Sequence, residues 1–154
     1  MSTHEGVSGL TPPAEILSAL DASDLDRLIE IWTAGFPNTH PEDIQAYAPR
    51  IVSAENAEIV VARNSLGHIA SSMVVCVAPG RDKIRGHIDD VATHPLHLRQ
   101  GYAGRLLDFS IDWFQKREVK RVYLASSDDR QPAHALYLSR GFYIHDTNEF
   151  QLDL

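Results

Sequence analysis

The sequence predicts a single mixed α/β domain in which a β-sheet carries helices on its faces. At 154 residues the chain is long enough for one domain with a full hydrophobic core and too short for two ordinary domains. Segments rich in Val and Ile alternate with segments whose apolar residues recur at helical spacing. The resulting order, β-α-α-β-β-β-α-β-α-β-β, is typical of a sheet covered by helices.

The N-terminal residues predict a tail and a first strand. Residues 1–13 contain several glycines and prolines and little apolar content, which indicates a flexible tail. The single domain is therefore expected over residues 14–154. A short apolar run at residues 15–20 predicts its first strand.

Two helices are predicted next, each opened by a Ser or Thr with an acidic residue three positions later. The first helix begins at Ser23, carries an apolar stripe and stops at Gly35. The second begins at Thr39, and Pro49 ends or kinks it.

Strand character dominates the middle of the chain. Residues 58–63 and 68–77 are rich in Val and Ile and flank an Asn-Ser-Leu-Gly turn, which predicts a hairpin. After a polar loop, strand character resumes over residues 84–93.

The most informative stretch runs from residue 86 to residue 107. A strand with two acidic residues passes through a Gly-rich turn into an amphipathic helix that begins near Gly101. Gly101, Ala103 and Gly104 are small, so a ligand can approach the backbone there. Such a turn directs free N–H groups and the positive end of the helix dipole at one point. That point favours an anion such as a phosphate.

The chain closes with a short strand, a short helix and a hairpin. Residues 121–125 predict the strand, and residues 131–140 predict the helix, which Gly141 ends. Apolar and polar residues alternate near the C-terminus, with the apolar ones at Phe150, Leu152 and Leu154. This alternation predicts that residues 142–154 form the hairpin.

Composition and charge narrow the functional classes. Hydrophobic residues make up 44% of the chain, and no apolar run is long enough to span a membrane. The formal net charge of −7 argues against nucleic-acid binding, which draws its affinity from a basic face, and suits a small cationic substrate. The sequence shows no secretory signal pattern, so residence in the cytoplasm is expected. A single cysteine, Cys76, rules out an internal disulfide framework.

Two motifs in this framework resemble those of the GNAT superfamily of N-acetyltransferases. Arg99-Gln100 followed by Gly101-Tyr102-Ala103 resembles the loop that binds the pyrophosphate of acetyl-CoA. The second motif is matched by Ala133, Leu136, Tyr137, Gly141 and Phe142. The chain departs from these motifs at Leu98, where the family has Gln or Arg, and at Arg130, where it has Asn. The resemblance covers the chain from about residue 16 onward and implies a GNAT-like mixed, mostly antiparallel sheet flanked by about four helices.

The resemblance implies acetyl-CoA as the acetyl donor and indicates which residues hold it. The residues expected at the pyrophosphate are Arg99, Gln100, Gly101, Tyr102, Ala103 and Gly104. Arg130 is expected to add positive charge. The pantetheine arm is expected to run along the strand edge at Val91, Ala92 and Thr93. Ordinary sheet packing explains Val91 and Ala92 equally well.

Three residues compete for the base that deprotonates the acceptor amine. Alternation along a strand places His87 and Asp89 on one face, with Asp90 on the other unless a bulge intervenes. In GNAT proteins this strand commonly carries a bulge and an acidic residue that takes the proton. An amine with a pKa of about 10 is almost wholly protonated at neutral pH, so a base is needed. Asp89 is favoured, with His87 as its partner or as an alternative base, although either aspartate also fits a structural role at the strand edge.

A metal site is not expected. His87 and Asp89 would form half of one, since both residue types bind zinc and related ions, but the sequence shows no complementary ligand cluster. The other histidines are scattered and are expected mostly at the surface: His4, His40, His68, His94, His97, His134 and His145.

Tyr137 is the predicted acid. Its helical spacing alone would make it a core tyrosine. In GNAT enzymes the matching tyrosine points its hydroxyl at the cofactor sulfur and can protonate the leaving thiolate. Cys76 lies in a Val-rich strand and suits an inert buried thiol better than a nucleophile, so direct attack in a ternary complex is preferred.

These roles predict an N-acetyltransferase that moves an acetyl group from acetyl-CoA to the primary amine of a small molecule. The acceptor pocket is expected against Trp32, Phe36, Tyr47, His87, Asp89 and the segment after Phe142. Two hints about the acceptor disagree, because the second motif resembles aminoalkylphosphonate acetyltransferases and residues 86–90 resemble glucosamine-phosphate acetyltransferases. The alternatives are a non-catalytic acyl-CoA-binding sensor or interaction module, and an acetyltransferase that acts on a protein amine. Dimers are common among GNAT proteins, so a homodimer is compatible with the resemblance.

Overall fold

The computed structural model describes residues 13–154, so the predicted N-terminal tail lies outside the described residues except for Pro13. The strands are β1 (Glu15–Ile16), β2 (Ala57–Arg63), β3 (Ile69–Pro79), β4 (Ile84–Thr93) and β5 (Arg121–Leu124). The helices are α1 (Ala22–Gly35), α2 (Pro41–Val52), α3 (Tyr102–Lys116) and α4 (Gln131–Ser139), with a short 3₁₀ helix at Pro95–His97. None of these helices is long and apolar enough to cross a membrane.

The five strands form one sheet in the order β1-β2-β3-β4-β5. Every neighbouring pair is antiparallel except β4 and β5, which are parallel. One core cluster joins α1 and α2 to one face of the sheet, and a second joins α3 and α4 to the other face. Because helices cover both faces, the central strands are almost continuously apolar. The predicted mixed, mostly antiparallel fold with four helices is confirmed.

Helix α1 begins at a different cap from the predicted Ser23. The carboxylate of Asp21 accepts a hydrogen bond from the backbone N–H of Asp24 at 2.8 Å. Asp24 in turn accepts two hydrogen bonds from the guanidinium of Arg63, at 2.8 and 2.9 Å. This half-buried ion pair fixes the first turn of α1 against β2.

The cap of helix α2 lies one residue after the predicted Thr39. His40 is the cap, and its backbone N–H donates to the side chain of Asp43 at 3.0 Å. Pro41 occupies the first helical position, where its missing N–H costs nothing. Pro49 does not end the helix, because it lies within the last turn and removes only one N–H so close to the end.

The predicted C-terminal hairpin is wrong. Residues 142–154 contain no strand, and their apolar side chains are largely exposed, with Ile144 88% and Phe150 92% accessible. Alternation of apolar and polar residues specifies which face a strand would bury, but it does not supply the neighbouring strand or the packing surface that stabilises it.

Candidate active site

The site opens where β4 and β5 separate. The two strands pair in parallel from Arg85 with Arg121 to Ile88 with Leu124. There β5 ends, whereas β4 continues to Thr93. The last residues of β4 therefore face an opening on that side rather than another described strand.

A bulge in β4 decides which side chains face the opening. The ladder between β3 and β4 shifts register between Ser72 and Val74, and Asp90 adopts a left-handed φ of 53°. A bulge breaks the strict alternation that would have placed Asp90 opposite Asp89. Both carboxylates consequently line the same cavity.

This cavity has a volume of about 290 Å³, and we call it the strand-end cavity. It is lined by Phe36 at the end of α1, by residues 88–91 of β4, by residues 124–127, and by Arg130 and Tyr137. Four separate segments of the chain thus meet around one space.

Asp90 is held by a neighbour from α2. The hydroxyl of Tyr47 donates to Oδ2 of Asp90 at 3.1 Å. Burial raises the pKa of Asp90 above the usual value for aspartate, the Tyr47 hydrogen bond opposes this shift, and the charge of Asp89 adds to it. Burial and the charges of Asp90 and Asp89 also raise the pKa of Tyr47, which therefore stays a hydrogen-bond donor. A carboxylate with a pKa closer to neutrality is a better proton acceptor.

Tyr137 projects from α4 into the same cavity and is 8% exposed. Burial raises the pKa of Tyr137, although the positive charge of Arg130 opposes the shift. The phenol therefore keeps its proton at neutral pH, as a general acid must. The structure brings the predicted acid together with two of the three competing bases, Asp89 and Asp90.

Two polar side chains at the rim of the cavity, Arg130 and Ser126, differ in their hydrogen bonding. Arg130 donates from Nη2 to the carbonyl of Gly35 at 2.7 Å, and its guanidinium lies 5.1 Å from the ring centroid of Phe36. The Oγ of Ser126 is buried and has no hydrogen-bond partner among the described residues. An unsatisfied buried hydroxyl costs about 1–3 kcal/mol, so this atom suits a bound molecule that supplies the missing partner.

Two residues expected around the acceptor lie elsewhere. His87 stacks on Tyr123, with ring centroids 5.6 Å apart, and does not line the strand-end cavity. Trp32 is only 2% exposed, and its Nε1 donates to the hydroxyl of Ser72 at 2.9 Å. A side chain buried this deeply cannot contact an acceptor, so the prediction for Trp32 is wrong. Trp32 instead supports Tyr47, whose ring centroid lies 5.8 Å away.

A second cavity, of about 310 Å³, lies over the N-terminus of α3, and we call it the loop cavity. The predicted residues that line it are Thr93, Arg99, Gly101, Tyr102, Ala103 and Gly104. Gln100 does not line it, and its amide donates to the carbonyl of Leu96 at 3.4 Å. Ala92 also lies away from it, buried in the core beneath α1.

The backbone of the loop leaves N–H groups at the start of α3 without a partner in the helix. Arg99 and Gly101 adopt left-handed φ angles of 61° and 81°, and Gly101 caps α3 without a side-chain hydrogen bond. The N–H of Arg105 donates to the carbonyl of Gly101 at 3.2 Å. The N–H groups of residues 102–104 precede this bond and have no acceptor within the helix. N–H groups at a helix start, together with the helix dipole, favour an anion in this cavity.

Sequence reasoning missed several residues of the loop cavity, among them His97, Arg105 and Arg140. Arg140 donates to the carboxylate of Asp108 at 2.9 and 3.3 Å. A Cβ on Gly104 would lie 3.0 Å from Nη2 of Arg140, so the glycine lets this guanidinium lie against the first turn of α3. No local pattern near Arg140 signals this contact, because its partner is 32 residues away.

Within residues 13–154, no group of three or more His, Cys, Asp or Glu side chains is arranged to hold a metal ion.

Comparison with known proteins identifies the architecture. The model of the acetyltransferase (GNAT) family matches residues 25–142. None of the curated proteins matches the sequence significantly.

Several solved structures share the fold. A transcriptional regulator from Bacillus halodurans C-125 superposes with a TM-score of 0.78 at 20% identity, over 92% of this chain and 99% of the other. A glucosamine-6-phosphate N-acetyltransferase from Arabidopsis thaliana gives 0.70 at 19% identity, over 92% and 99%. An aminoglycoside acetyltransferase from an uncultured soil metagenomic sample, in complex with sisomicin, gives 0.71 at 18% identity, over 92% and 95%. At these identities the similarity concerns the fold alone.

Proposed function

Because the chain belongs to the acetyltransferase (GNAT) family, we propose that it transfers an acetyl group from acetyl-CoA to the primary amine of a small molecule. One observation carries the proposal: an acid, Tyr137, and two carboxylates share the strand-end cavity. Val91 lines that cavity and Thr93 lines the loop cavity. These two residues are two positions apart on β4, so one extended molecule can reach both cavities along the strand edge.

The loop cavity fits the phosphates of acetyl-CoA. The free N–H groups of residues 102–104 donate hydrogen bonds to the pyrophosphate, and Arg99 adds positive charge. Gly101 and Gly104 leave room for the approach. Arg130 is expected to contribute less to phosphate binding than Arg99, because its guanidinium already donates to the carbonyl of Gly35. When bound, acetyl-CoA supplies a thioester whose acetyl group an amine can attack.

Asp90 is the base that the geometry favours. It is half-buried, Tyr47 holds it, and burial raises its pKa toward neutrality. Asp89, which the sequence favours, lines the same cavity and is the second candidate. His87 stacks on Tyr123 and is the third.

Tyr137 donates the proton that the leaving thiolate needs, because its phenol is protonated at neutral pH and lies in the cavity with the carboxylates. No covalent intermediate is required. Burial and the charge of Asp89 raise the pKa of the Cys76 thiol, which makes it a poor nucleophile. The main contribution of the protein is to hold the amine beside the thioester.

The acceptor is expected to be a cationic amine. Two carboxylates line the strand-end cavity, and the chain carries a net charge of −7. Among proteins of similar fold are an aminoglycoside acetyltransferase and a glucosamine-6-phosphate N-acetyltransferase. The chemistry they share is an amine on a sugar-like scaffold, which makes amino sugars and aminoglycosides the first compounds to test.

The test is thiol release from acetyl-CoA against a panel of amino sugars, aminoglycosides, aminophosphonates, polyamines and amino acids. Calorimetry on the same preparation measures CoA binding. Turnover with one chemical class supports the proposal. CoA binding without turnover favours a sensor or a protein substrate, and no CoA binding contradicts the assignment of the donor.

A homodimer that works in the cytoplasm, without nucleic-acid or membrane partners, remains part of the proposal. The exposed apolar side chains of residues 142–154 and the position of β5 at the sheet edge support self-association. Light scattering after gel filtration tests it, since the monomer mass is 17.1 kDa. A monomer at all concentrations contradicts the dimer.

A further inference from the structure

A network of polar side chains lies beneath the phosphate-binding loop. Its centre is formed by His94, which precedes the 3₁₀ helix between β4 and the loop, and by His97, the last residue of that helix. They are exceptions to the mostly surface position expected of the histidines, because His94 is 7% exposed and His97 is half-buried. Residues from α1 and from the turn between β2 and β3 complete the network.

The contacts of His97 fix its protonation state. Its Nε2 lies 3.0 Å from Nη2 of Arg27 and 3.3 Å from Nδ2 of Asn64. A guanidinium only donates. The amide of Asn64 is oriented because its Oδ1 accepts from the backbone N–H groups of Leu66 and His68, both at 3.0 Å. Nε2 of His97 therefore faces two donors and must accept, which leaves the ring neutral with its proton on Nδ1.

His94 is fixed in the opposite tautomer. Its Nδ1 accepts from the backbone N–H of Leu96 at 3.2 Å, so the proton is on Nε2 and is donated to Glu30 at 2.9 Å. Glu30 also accepts from Nη1 of Arg27 at 3.1 Å. The Nε of Arg27 donates to the carbonyl of Ile69 at 2.7 Å, which anchors the network to β3.

The network reaches the loop through His97. Its ring meets the ring of Tyr102 edge-on, with centroids 5.8 Å apart. Tyr102 is the first residue of α3 and carries one of the free N–H groups, and His97 itself lines the loop cavity. We propose that His97 is a positioning residue that holds the phosphate-binding loop in its binding conformation only while its imidazole is neutral. This inference rests on the proposed function, since the ligand of the loop is CoA.

Protonation of Nε2 would create unfavourable interactions with the groups that contact it. It would point an N–H at the two donors Arg27 and Asn64 and add a positive charge beside Arg27. His68, from the turn, and His94, from the same segment, contribute no negative charge, and Tyr102 presents only its ring edge. Glu30 is the one carboxylate of the network, and it is already bonded to Arg27 and His94.

The sign of the pH effect follows from these contacts. Burial, followed by Arg27, His94 and His68, lowers the pKa of His97 below that of a free histidine. The neutral form therefore stabilises the loop fully above a pH of about 6.5, and this contribution is lost as the pH falls through the lowered pKa. CoA affinity should decrease in the same direction.

The test is CoA binding by calorimetry between about pH 8 and pH 5.5. The wild type is compared with His97→Gln, in which a neutral amide oxygen can accept from Arg27 and Asn64 but does not titrate. The CoA phosphates titrate in the same way in both measurements, so their effect cancels in the ratio of the two dissociation constants. We expect wild-type binding to weaken relative to His97→Gln by up to about tenfold per pH unit below the pKa of His97, the limit for one proton. The matched control, His145→Gln, removes an exposed histidine outside the network and should retain the wild-type pH dependence.

Two results would overturn the inference. One is a constant ratio across the pH range. The other is tighter wild-type binding at low pH, which would mean that a protonated imidazole acts as an ordinary cation for the phosphates. Absence of CoA binding by the wild type at every pH would instead remove the proposed function, and the inference with it.

A second measurement depends on no variant and on no ligand. Nitrogen-15 NMR of histidine-labelled wild type at about pH 7.5 reports the tautomer of each ring. His97 should carry its proton on Nδ1 and His94 on Nε2. A His97 ring protonated on Nε2 would contradict the proposal even if His97→Gln fails to fold.

Discussion

The loop cavity and the strand-end cavity are built in different ways. Nine of the eleven residues that line the loop cavity lie between Thr93 and Asp108, and the groups proposed to bind the anion are backbone N–H groups. The strand-end cavity takes its lining from α1, β4, the end of β5 with the loop after it, and α4, and the groups proposed to react are side chains. A cavity of backbone groups is sensitive to backbone conformation, whereas a cavity of side chains is sensitive to single functional groups. Substitutions should therefore separate binding from chemistry.

Removing the hydroxyl of Tyr137 should have the largest effect. Tyr137→Phe is expected to lower kcat by about 10²- to 10⁴-fold, the usual contribution of a general acid. The dissociation constant of CoA should stay within about twofold, a difference of roughly 0.4 kcal/mol, because Tyr137 does not line the loop cavity. Steady-state kinetics and calorimetry measure the two quantities. A comparable loss of CoA binding would show that the two cavities are not separable.

Asp90→Asn should come next, with kcat lowered by about 10²-fold, and Asp89→Asn serves as the matched control with a loss below about tenfold. The base must be ionised, so wild-type kcat/KM should fall as the pH drops through the pKa of Asp90, which burial raises. Asp89→Asn removes a charge that also raises this pKa, so its acid limb should move to lower pH. A larger loss in Asp89→Asn would identify Asp89 as the base.

A third comparison tests the backbone of the loop cavity. Gly101 and Gly67 have φ angles of 81° and 82°, and a Cβ on either would meet nothing within 4 Å. Alanine at each position should lower the free energy of unfolding by a similar amount, about 1–2 kcal/mol. Only Gly101→Ala should weaken CoA binding, by roughly tenfold, with kcat at saturation unchanged. Equal CoA affinities for the two variants would contradict a role of the loop conformation in binding.

The smallest effect is expected at Ser126. Its buried Oγ has no partner among the described residues, so Ser126→Ala should raise the free energy of unfolding by up to about 1 kcal/mol. If the ligand supplies the missing partner, the same variant should bind CoA a few-fold more weakly. Thermal unfolding with and without CoA measures both changes. Destabilisation of the free protein would mean that this hydroxyl is already satisfied.

The difference between the two cavities also explains which features the sequence could predict. The loop cavity depends on residues close together in the chain, so its glycines and helix start are visible as a local pattern. The fold was predictable for a similar reason, since β2 to β4 are rich in Val and Ile and α3 has strong helical periodicity. The caps of α1 and α2 were misplaced by one or two residues, because neighbouring Ser, Thr, Asp and His side chains compete for similar capping energies.

The features that the sequence did not predict depend on contacts between residues that are distant in the chain. The bulge at Asp90, which brings it beside Asp89, appears only in the ladder with β3. The hydrogen bond between Asn64 and His97 joins residues 33 positions apart, and no local sequence pattern near either residue predicts it. The alternation in residues 142–154 predicted strands, but it did not indicate which strand they would pair with.

The single thiol has a practical consequence for the assay of thiol release when a thiol reagent detects the product. Cys76 is the only cysteine of the chain, and burial raises its pKa. Thiol reagents react with the thiolate, which is scarce at neutral pH for such a group. The protein should therefore contribute a slow background of at most one equivalent, and CoA released in the assay can be measured without replacing the cysteine.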